Sequence, residues 1–237
     1  MTENEVESAM DRRLRWFRVV PLLALCASAP LGGQVVPVDD AVFQLLRAGE
    51  PVGEEHVTVH RMGLGQDARI IGQSEIRLTD GSEMRPRLEA TTDMRATTYQ
   101  NKFTGESAGE VMISRSGRRL VARTQTASGE SQREFRASDR TVILEPNVVL
   151  LYYFLEPWLG EAEAELTVLE PRNGRQSNMT LRNVGTERVR VGRRMVEAQH
   201  FRLEGNGLAV DVWYDEGGRI IVLESPADGF RAERRDP

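Results

Sequence analysis

From Val42 onward, polar and apolar residues alternate along the chain in short stretches that turn-forming residues separate. Successive side chains of a β-strand point to opposite faces, so this alternation predicts half-buried antiparallel strands. The predicted strands of the first half are residues 42–47, 52–62, 69–78, 85–93, 97–104, 111–115 and 119–126. Their regular spacing favours a meander in which consecutive strands pair.

The C-terminal third carries the strongest hairpin signals. The predicted strands there are residues 166–170, 177–183, 194–204 and 208–214. Asn173-Gly174, Gly205-Asn206-Gly207 and Asp215-Glu216-Gly217-Gly218 form the turns, since Gly and Asn tolerate the positive φ angles of tight hairpins. We therefore predict an all-β, mainly antiparallel fold, built as a curved sheet or partly open barrel of about ten or more strands.

One segment interrupts the alternation. Residues 148–155 are continuously apolar, with Asn147 before them and Pro157 after them. Asn147 is a favourable N-cap and Pro157 a stop signal, so we predict one short buried helix near residues 147–158. A buried central strand is the alternative, because periodicity does not separate the two over so few residues. Either element needs apolar surroundings, which a sheet curved around it provides.

The N-terminal segment has the composition of a secretion signal. A cluster of arginines precedes the apolar residues 19–31, a stretch that Pro21 interrupts and that is short for a membrane span. The arginines of this cluster are Arg12, Arg13, Arg15 and Arg18. We expect residues 1–34 to be a signal segment, cleaved between Ala27 and Gln34, and residues 35–237 to form a single antiparallel β domain. The mature chain is then periplasmic or associated with the outer membrane.

Two alternatives stay open for this segment. Cys26, the sole cysteine, lies where a lipoprotein signal would carry its modified residue, although the preceding Leu23-Ala24-Leu25 has a bulky residue where such signals prefer a small one. Met10 is an alternative start, because Glu3 and its acidic neighbours have the wrong charge for the beginning of a signal.

Charge and motifs exclude several functional classes. The 31 basic and 36 acidic residues are interspersed, so the sequence offers no basic block for nucleic acid. Processing would remove the cysteine, and with it any disulfide or thiolate nucleophile. The sequence contains no phosphate loop, nucleophile elbow or calcium loop, so we predict no cofactor. We also predict no transmembrane span in the mature chain.

Two clusters of polar residues are candidates for a metal site or a catalytic site. His56 and His60 share a strand face with Glu54, but residues four apart on a strand are about 13 Å apart, which is far for two ligands of one ion. Asp211 and Asp215 flank Trp213, yet Asp215 opens a glycine-rich turn where a carboxylate normally caps backbone N–H groups. We therefore predict neither a metal site nor a catalytic pair.

Aromatic residues are the candidate ligand-binding set. Four of them lie in the apolar segment, and two more lie on strands that we expect to face it. The six are Tyr152, Tyr153, Phe154, Trp158, Phe201 and Trp213. Large apolar residues usually fill a core, and the alternative is that these six line a pocket for an acyl or isoprenoid chain.

Residues 209–226, AVDVWYDEGGRIIVLESP, resemble the closing hairpin of bacterial envelope families of unknown function. The predicted architecture is similar to the lipoprotein-carrier (LolA-like) half-barrel, which implies a lipid or lipoprotein ligand. The leading hypothesis is an envelope binding protein for an apolar or amphipathic, lipid-like molecule. The alternatives are an envelope hydrolase that uses carboxylates and His200, and a structural module that pairs with another protein.

Overall fold

The computed structural model describes residues 35–105 and 108–235. The predicted signal segment, residues 1–34, lies outside the described residues, and Cys26 with it. The described residues form fifteen strands: β1 (Val35–Arg47), β2 (Glu50–Met62), β3 (Arg69–Leu78), β4 (Glu83–Thr91), β5 (Ala96–Phe103), β6 (Gly109–Ser116), β7 (Arg119–Thr126), β8 (Gly129–Arg136), β9 (Thr141–Ile143), β10 (Glu163–Glu170), β11 (Arg175–Val191), β12 (Arg194–Gly205), β13 (Leu208–Tyr214), β14 (Ile220–Ser225) and β15 (Phe230–Arg234).

All fifteen strands belong to one sheet, in the order β8-β7-β6-β5-β4-β3-β2-β1-β15-β14-β13-β12-β11-β10-β9. Two meanders run outward from the centre, where β1 pairs antiparallel with β15 through Phe43 opposite Arg234 and Arg47 opposite Phe230. Each pair of neighbouring strands is antiparallel except β9 and β10, which are parallel. Strands β8 and β9 are the two edges, so strand pairing leaves the sheet open. This architecture confirms the predicted fold class.

The strand boundaries follow the alternation closely in several places. Strands β3, β7 and β13 have the predicted bounds, and Ala48-Gly49 forms the first hairpin turn with φ angles of 50° and 84°. The sequence analysis missed three strands, β8, β9 and β15. It also ended β11 at residue 183, whereas the strand continues to Val191.

The apolar segment is a helix and not a central strand. It forms a ten-residue 3-10 helix, Val149–Trp158, called the central helix here. Asn147 is not its N-cap, because Val148 holds that position, and its side chain accepts no hydrogen bond from the helix. Pro157 does not stop it either, because the proline lies inside the helix, one residue before its end at Trp158. Two shorter 3-10 turns span Gly65–Asp67 and Pro226–Asp228.

The central helix packs on the inward face of the sheet, and Gly72 on β3 lets it approach closely. A β-carbon at Gly72 would lie 2.7 Å from Leu150 Cδ1 and 3.0 Å from Phe154 Cε2. Helix and inward strand residues form the main apolar cluster. Among the described residues, no helix combines the length and the hydropathy of a membrane-spanning segment.

A second, smaller apolar cluster lies on the outward face. It consists of Val189, Val191, Ala198, Trp213, Ile221 and Val222. Because Val212 and Tyr214 belong to the main cluster, the intervening Trp213 points to the opposite side of β13. The end of the β11–β12 hairpin therefore packs over the outside of the sheet.

Candidate functional site

Polar side chains occupy inward positions on several strands, next to apolar residues on the same face. Asp39 precedes Ala41 on β1, Glu55 precedes Val57 on β2, and Asn101 follows Tyr99 on β5. The buried polar set also includes Ser74, Glu145, Glu170 and Arg234. A buried polar group is costly unless it is hydrogen-bonded, so each one requires a partner or a ligand.

Glu55 holds the beginning of the central helix. Its carboxylate accepts hydrogen bonds from the backbone N–H of Val149 at 2.8 Å and of Leu150 at 3.1 Å. Ser74 Oγ donates a third bond at 2.8 Å. These bonds satisfy helix N–H groups that have no intrahelical partner, which explains why no local side chain caps the helix.

The Glu55 carboxyl is fully buried, and among the described residues no basic side chain pairs with it. Burial raises its pKa from 4.5 to about 7, against the three hydrogen bonds, which favour the ionised form. The negative charge of Glu145 raises the pKa further. Glu55 is therefore a buried acid that exchanges its proton near neutral pH.

Glu145 follows β9, and Tyr99 OH donates to its Oε1 at 2.7 Å. Burial raises the pKa of Glu145 as well. Beside this pair, Asn101 is fully buried, and its side-chain amide lowers the pKa of both Tyr99 and Glu145, although neither its nitrogen nor its oxygen reaches hydrogen-bond geometry within the described part of the chain. Asn147 Oδ1 is buried without a partner there too. Each such atom costs about 1–3 kcal/mol unless something occupies it.

Asn147 lines a cavity of about 590 Å³, called the mouth cavity here, whereas Asn101 lies outside its lining. Its apolar wall includes Leu45, Val52, Leu78, Met84, Phe103 and Phe230. Its polar wall includes Glu145, Asn147, Glu170 and Arg172. A volume of this size with mixed walls is typical of small-molecule sites, which range over about 300–1,000 Å³.

A second buried acid, Asp39, contacts the central helix at Tyr153. Tyr153 OH donates to Asp39 Oδ2 at 2.6 Å, and Arg234 donates to both carboxylate oxygens at 2.7 and 2.8 Å. Burial opposes ionisation of Asp39, but the Arg234 and Tyr153 hydrogen bonds and the Arg234 charge outweigh it and lower the pKa. The two hydrogen bonds from Arg234 compensate for the buried negative charge of Asp39.

The six predicted ligand-binding aromatics do not form one group. Five of them, Tyr152, Tyr153, Phe154, Trp158 and Phe201, lie in the main apolar cluster. None of the six lines the mouth cavity. The expectation that Trp213 faces the apolar segment is wrong, because alternation along β13 turns it outward. The space open to a ligand therefore lies beside the helix N-terminus and not among these rings.

On the outward face, His200 lies between two carboxylates. Its Nε2 is 2.8 Å from Asp211 Oδ1, and its Nδ1 is 3.0 Å from Glu187 Oε1. Trp213 stacks on the imidazole at a centroid distance of 4.4 Å and donates its indole N–H to Glu187. Both ring nitrogens face carboxylates, so neither is placed to take a proton from a substrate.

The two other polar clusters have local roles. Asp215 Oδ1 accepts the backbone N–H of Gly217 and of Arg219, each at 2.9 Å, which confirms its role in the turn. His56 faces outward on β2 and lies 2.7 Å from Asp40 Oδ1. In the part of the chain that the structure describes, no group of three His, Cys, Asp or Glu side chains is arranged to hold a metal ion.

The sequence analysis missed Glu55, Asn101 and Glu145. For two of them the signal was present in the alternation. Glu55 shares the inward face of β2 with Val57 and Val59, while the sequence analysis singled out its outward neighbour Glu54. Asn101 lies between the inward residues Tyr99 and Phe103. A polar residue at an apolar position of a strand is thus the pattern that indicates this site.

Comparison with known proteins gives a family and a similar fold. The chain matches the family described as Domain of unknown function (DUF6134) over residues 43–235. No curated protein matches the chain. Among solved structures, it is similar to a β-barrel-like protein of the domain of unknown function DUF1849 from Brucella abortus, at 10% identity and a TM-score of 0.49, over 85% of this chain and 97% of that one.

Proposed function

We propose that this chain, which belongs to the family described as domain of unknown function DUF6134, is an exported envelope protein that binds an amphipathic, lipid-like small molecule in its mouth cavity. One observation carries the proposal. The cavity joins an apolar wall to the buried Oδ1 of Asn147, which has no hydrogen-bond partner among the described residues. A molecule with an apolar body and a hydrogen-bonding head complements both features.

The apolar wall favours a hydrocarbon body. Burying one methylene group contributes about 0.8 kcal/mol, so a short acyl or prenyl chain against Leu78, Met84 and Phe103 would supply several kcal/mol. The arrangement of a curved sheet around a central apolar segment is shared with lipoprotein carriers, and this analogy supports a lipid-like molecule as the class of ligand.

The polar wall favours a neutral head group. Asn147 Oδ1 offers an unsatisfied acceptor. The carboxylates of Glu145 and Glu170 and the guanidinium groups of Arg47 and Arg172 line the same cavity, so charges of both signs surround the head group. A hydroxyl or amide, which both donates and accepts, fits these groups best. The ligand is therefore closer to a monoacylglycerol than to a fatty acid.

Export rests on the N-terminal arginines and the apolar residues 19–31. The test is mass spectrometry of the protein from its native envelope. We expect an N-terminus between Ser28 and Val35. Intact Met1 on protein from the cytoplasm would contradict export.

The binding test compares two tryptophan variants of the full chain. Met84→Trp places a large ring in the mouth cavity, whereas Met112→Trp adds the same ring at an exposed position of β6. We expect the wild type and Met112→Trp to bind a fluorescent monoacylglycerol in preference to the matching fatty acid, and Met84→Trp to bind neither. Native mass spectrometry and solvent extraction of the purified protein would identify a retained lipid.

A second variant separates binding from folding. Asn147→Leu removes the unsatisfied amide oxygen and keeps the approximate size of the side chain, so its free energy of unfolding should stay level or rise. Its affinity for the monoacylglycerol should fall at least about tenfold, since the head loses a hydrogen-bond acceptor. Equal binding by the wild type, Met84→Trp and Asn147→Leu would contradict the proposal and favour a structural module.

A further inference from the structure

The end of the β11–β12 hairpin concentrates positive charge. Four of the eight residues from 188 to 195 are arginines, in a chain with a net charge of -5. Arg188, Arg190, Arg193 and Arg194 are all exposed, and they are called the arginine tip here. The patch is therefore a local feature and does not reflect the overall charge of the protein.

The charges of the arginine tip are not neutralised. Within residues 35–105 and 108–235, none of these four guanidinium groups forms an ion pair with a carboxylate. Arginines on the same and neighbouring strands do: Arg182 pairs with Glu163 and Glu204, Arg202 with Asp211, and Arg231 with Glu224 and Glu233.

Two carboxylates near the tip have other partners. Glu187 accepts the indole N–H of Trp213 and lies beside His200. Glu233 accepts the backbone N–H of Gly192 at 2.9 Å and pairs with Arg231. A third carboxylate, Glu197, lies opposite Arg188 on the paired strand. Arg190, Arg193 and Arg194 are therefore the arginines of the tip that an external anion would contact first.

The tip is held in a fixed position. Val189 and Val191, which alternate with the arginines, are buried in the outward apolar cluster with Ile221 and Val222. Arg231 also donates to the backbone carbonyl of Arg190. Because the backbone of the tip is already ordered, the arginines lose less conformational entropy when they bind.

An apolar side chain stands among the charges. Met195 lies opposite Arg190 on the paired strand and is 43% exposed. Val184, further along β11, is 52% exposed. Arginines pair with phosphate groups, while an exposed methionine contributes by entering the boundary between head groups and acyl chains. A nucleic acid would use the charges but not Met195.

We infer that the arginine tip docks the protein on an anionic phospholipid surface. This inference does not rest on the proposed ligand, since no residue of the tip lines the mouth cavity. Docking would bring an amphipathic cargo close to the membrane that supplies or receives it. The attraction is electrostatic, so it weakens as salt shortens the reach of the charges.

Sedimentation with lipid vesicles tests the inference. The full chain should bind vesicles of phosphatidylglycerol and phosphatidylcholine in equal parts better than vesicles of phosphatidylcholine alone, and added salt should reduce the difference. The double variant Arg190→Gln/Arg193→Gln should lose about 25-fold in partitioning to the anionic vesicles, at roughly fivefold for each arginine.

The matched control is Arg118→Gln/Arg123→Gln, which removes two exposed arginines near the opposite edge of the sheet. It should bind as the wild type does, whereas Met195→Ser should weaken binding without changing its dependence on salt. Equal loss in the control pair, or equal binding of the wild type to both kinds of vesicle, would overturn the inference. An acidic protein surface would then be the partner to test.

Discussion

Asp39 and Glu55 are buried acids on neighbouring strands, both point inward, and both hold the central helix, yet their surroundings differ. Asp39 accepts two bonds from the Arg234 guanidinium and one from Tyr153. Glu55 accepts three bonds from uncharged donors alone. Burial disfavours ionisation of both carboxyl groups, but the Arg234 guanidinium keeps Asp39 ionised. Burial depth alone therefore does not tell which carboxylate is a fixed structural charge.

The difference gives the two acids opposite effects on stability. The pKa of Asp39 is lowered in the folded state, so its contribution is present above its ordinary pKa of 3.8 and is lost as the pH falls below it. The pKa of Glu55 is raised to about 7, so the folded state loses stability as the pH rises from 4.5 towards 7. The Asp39 region therefore stabilises the fold at neutral pH and loses this contribution in acid, whereas the Glu55 region is most stable in acid.

The largest predicted effect comes from removing the cation of the Asp39 region. Arg234→Met leaves a buried carboxylate without its partner and should lower the free energy of unfolding by about 3–5 kcal/mol near neutral pH. Urea denaturation measures this loss. The exposed pair of Arg119 and Glu134 provides the control, since Arg119→Met should cost about 1 kcal/mol or less.

The double variant Arg234→Met/Asp39→Ala sharpens this comparison. Removing the acid together with its partner abolishes the uncompensated charge, so the double variant should be more stable than Arg234→Met alone. A double variant as unstable as the sum of the two single variants would mean that Asp39 and Arg234 act independently.

The contrast between these regions also shows what the sequence allows one to predict. Alternation is a local property, and it was enough to place β3 and β13 at their observed bounds. Strand β8 has no fully buried residue, so an edge strand of this kind carries no alternation to detect. The end of β11 does alternate, but a register shift between Asn183 and Gly185 separates it from the predicted part of the strand, and Val189 and Val191 bury their side chains in the outward cluster.

The candidate site was harder to predict than the fold, because its partners come from distant parts of the chain. Glu55 is 94 residues from Val149, whose N–H it accepts, and Tyr99 is 46 residues from Glu145. The sequence does indicate that Glu55 and Asn101 are polar at apolar positions. It contains nothing local that would pair Asp39 with Arg234 and leave Glu55 without a cation.

The next prediction concerns the pH dependence that Glu55 imposes. A pKa raised from 4.5 to about 7 corresponds to about 3 kcal/mol of stability lost as the pH rises through that interval. Glu55→Gln has no proton to exchange, so the decline should be much smaller in this variant. Part of it should remain, because burial raises the pKa of Glu145 in the same direction.

Chemical denaturation of the wild type and Glu55→Gln at several pH values measures these two slopes. The absolute stability of the variant is not the readout, since an amide NH₂ cannot accept the helix N–H bonds that Glu55 accepts. Parallel slopes in the two proteins would show that Glu55 is ionised throughout, and the contrast with Asp39 would then disappear.

The smallest predicted effect compares two tyrosines that donate to the two kinds of acid. Tyr153 donates to Asp39, whose pKa is lowered, whereas Tyr99 donates to Glu145, whose pKa burial raises, so Glu145 is less ionised than Asp39 at about pH 5. A hydrogen bond to a charged group contributes about 1.5–3 kcal/mol, and one between neutral groups about 0.5–1.5 kcal/mol. Tyr153→Phe should therefore lower the free energy of unfolding by about 2 kcal/mol and Tyr99→Phe by about 1 kcal/mol at that pH.

As the pH rises and Glu145 ionises, the cost of Tyr99→Phe should grow towards that of Tyr153→Phe. Equal costs at about pH 5 would show that Glu145 is already charged there.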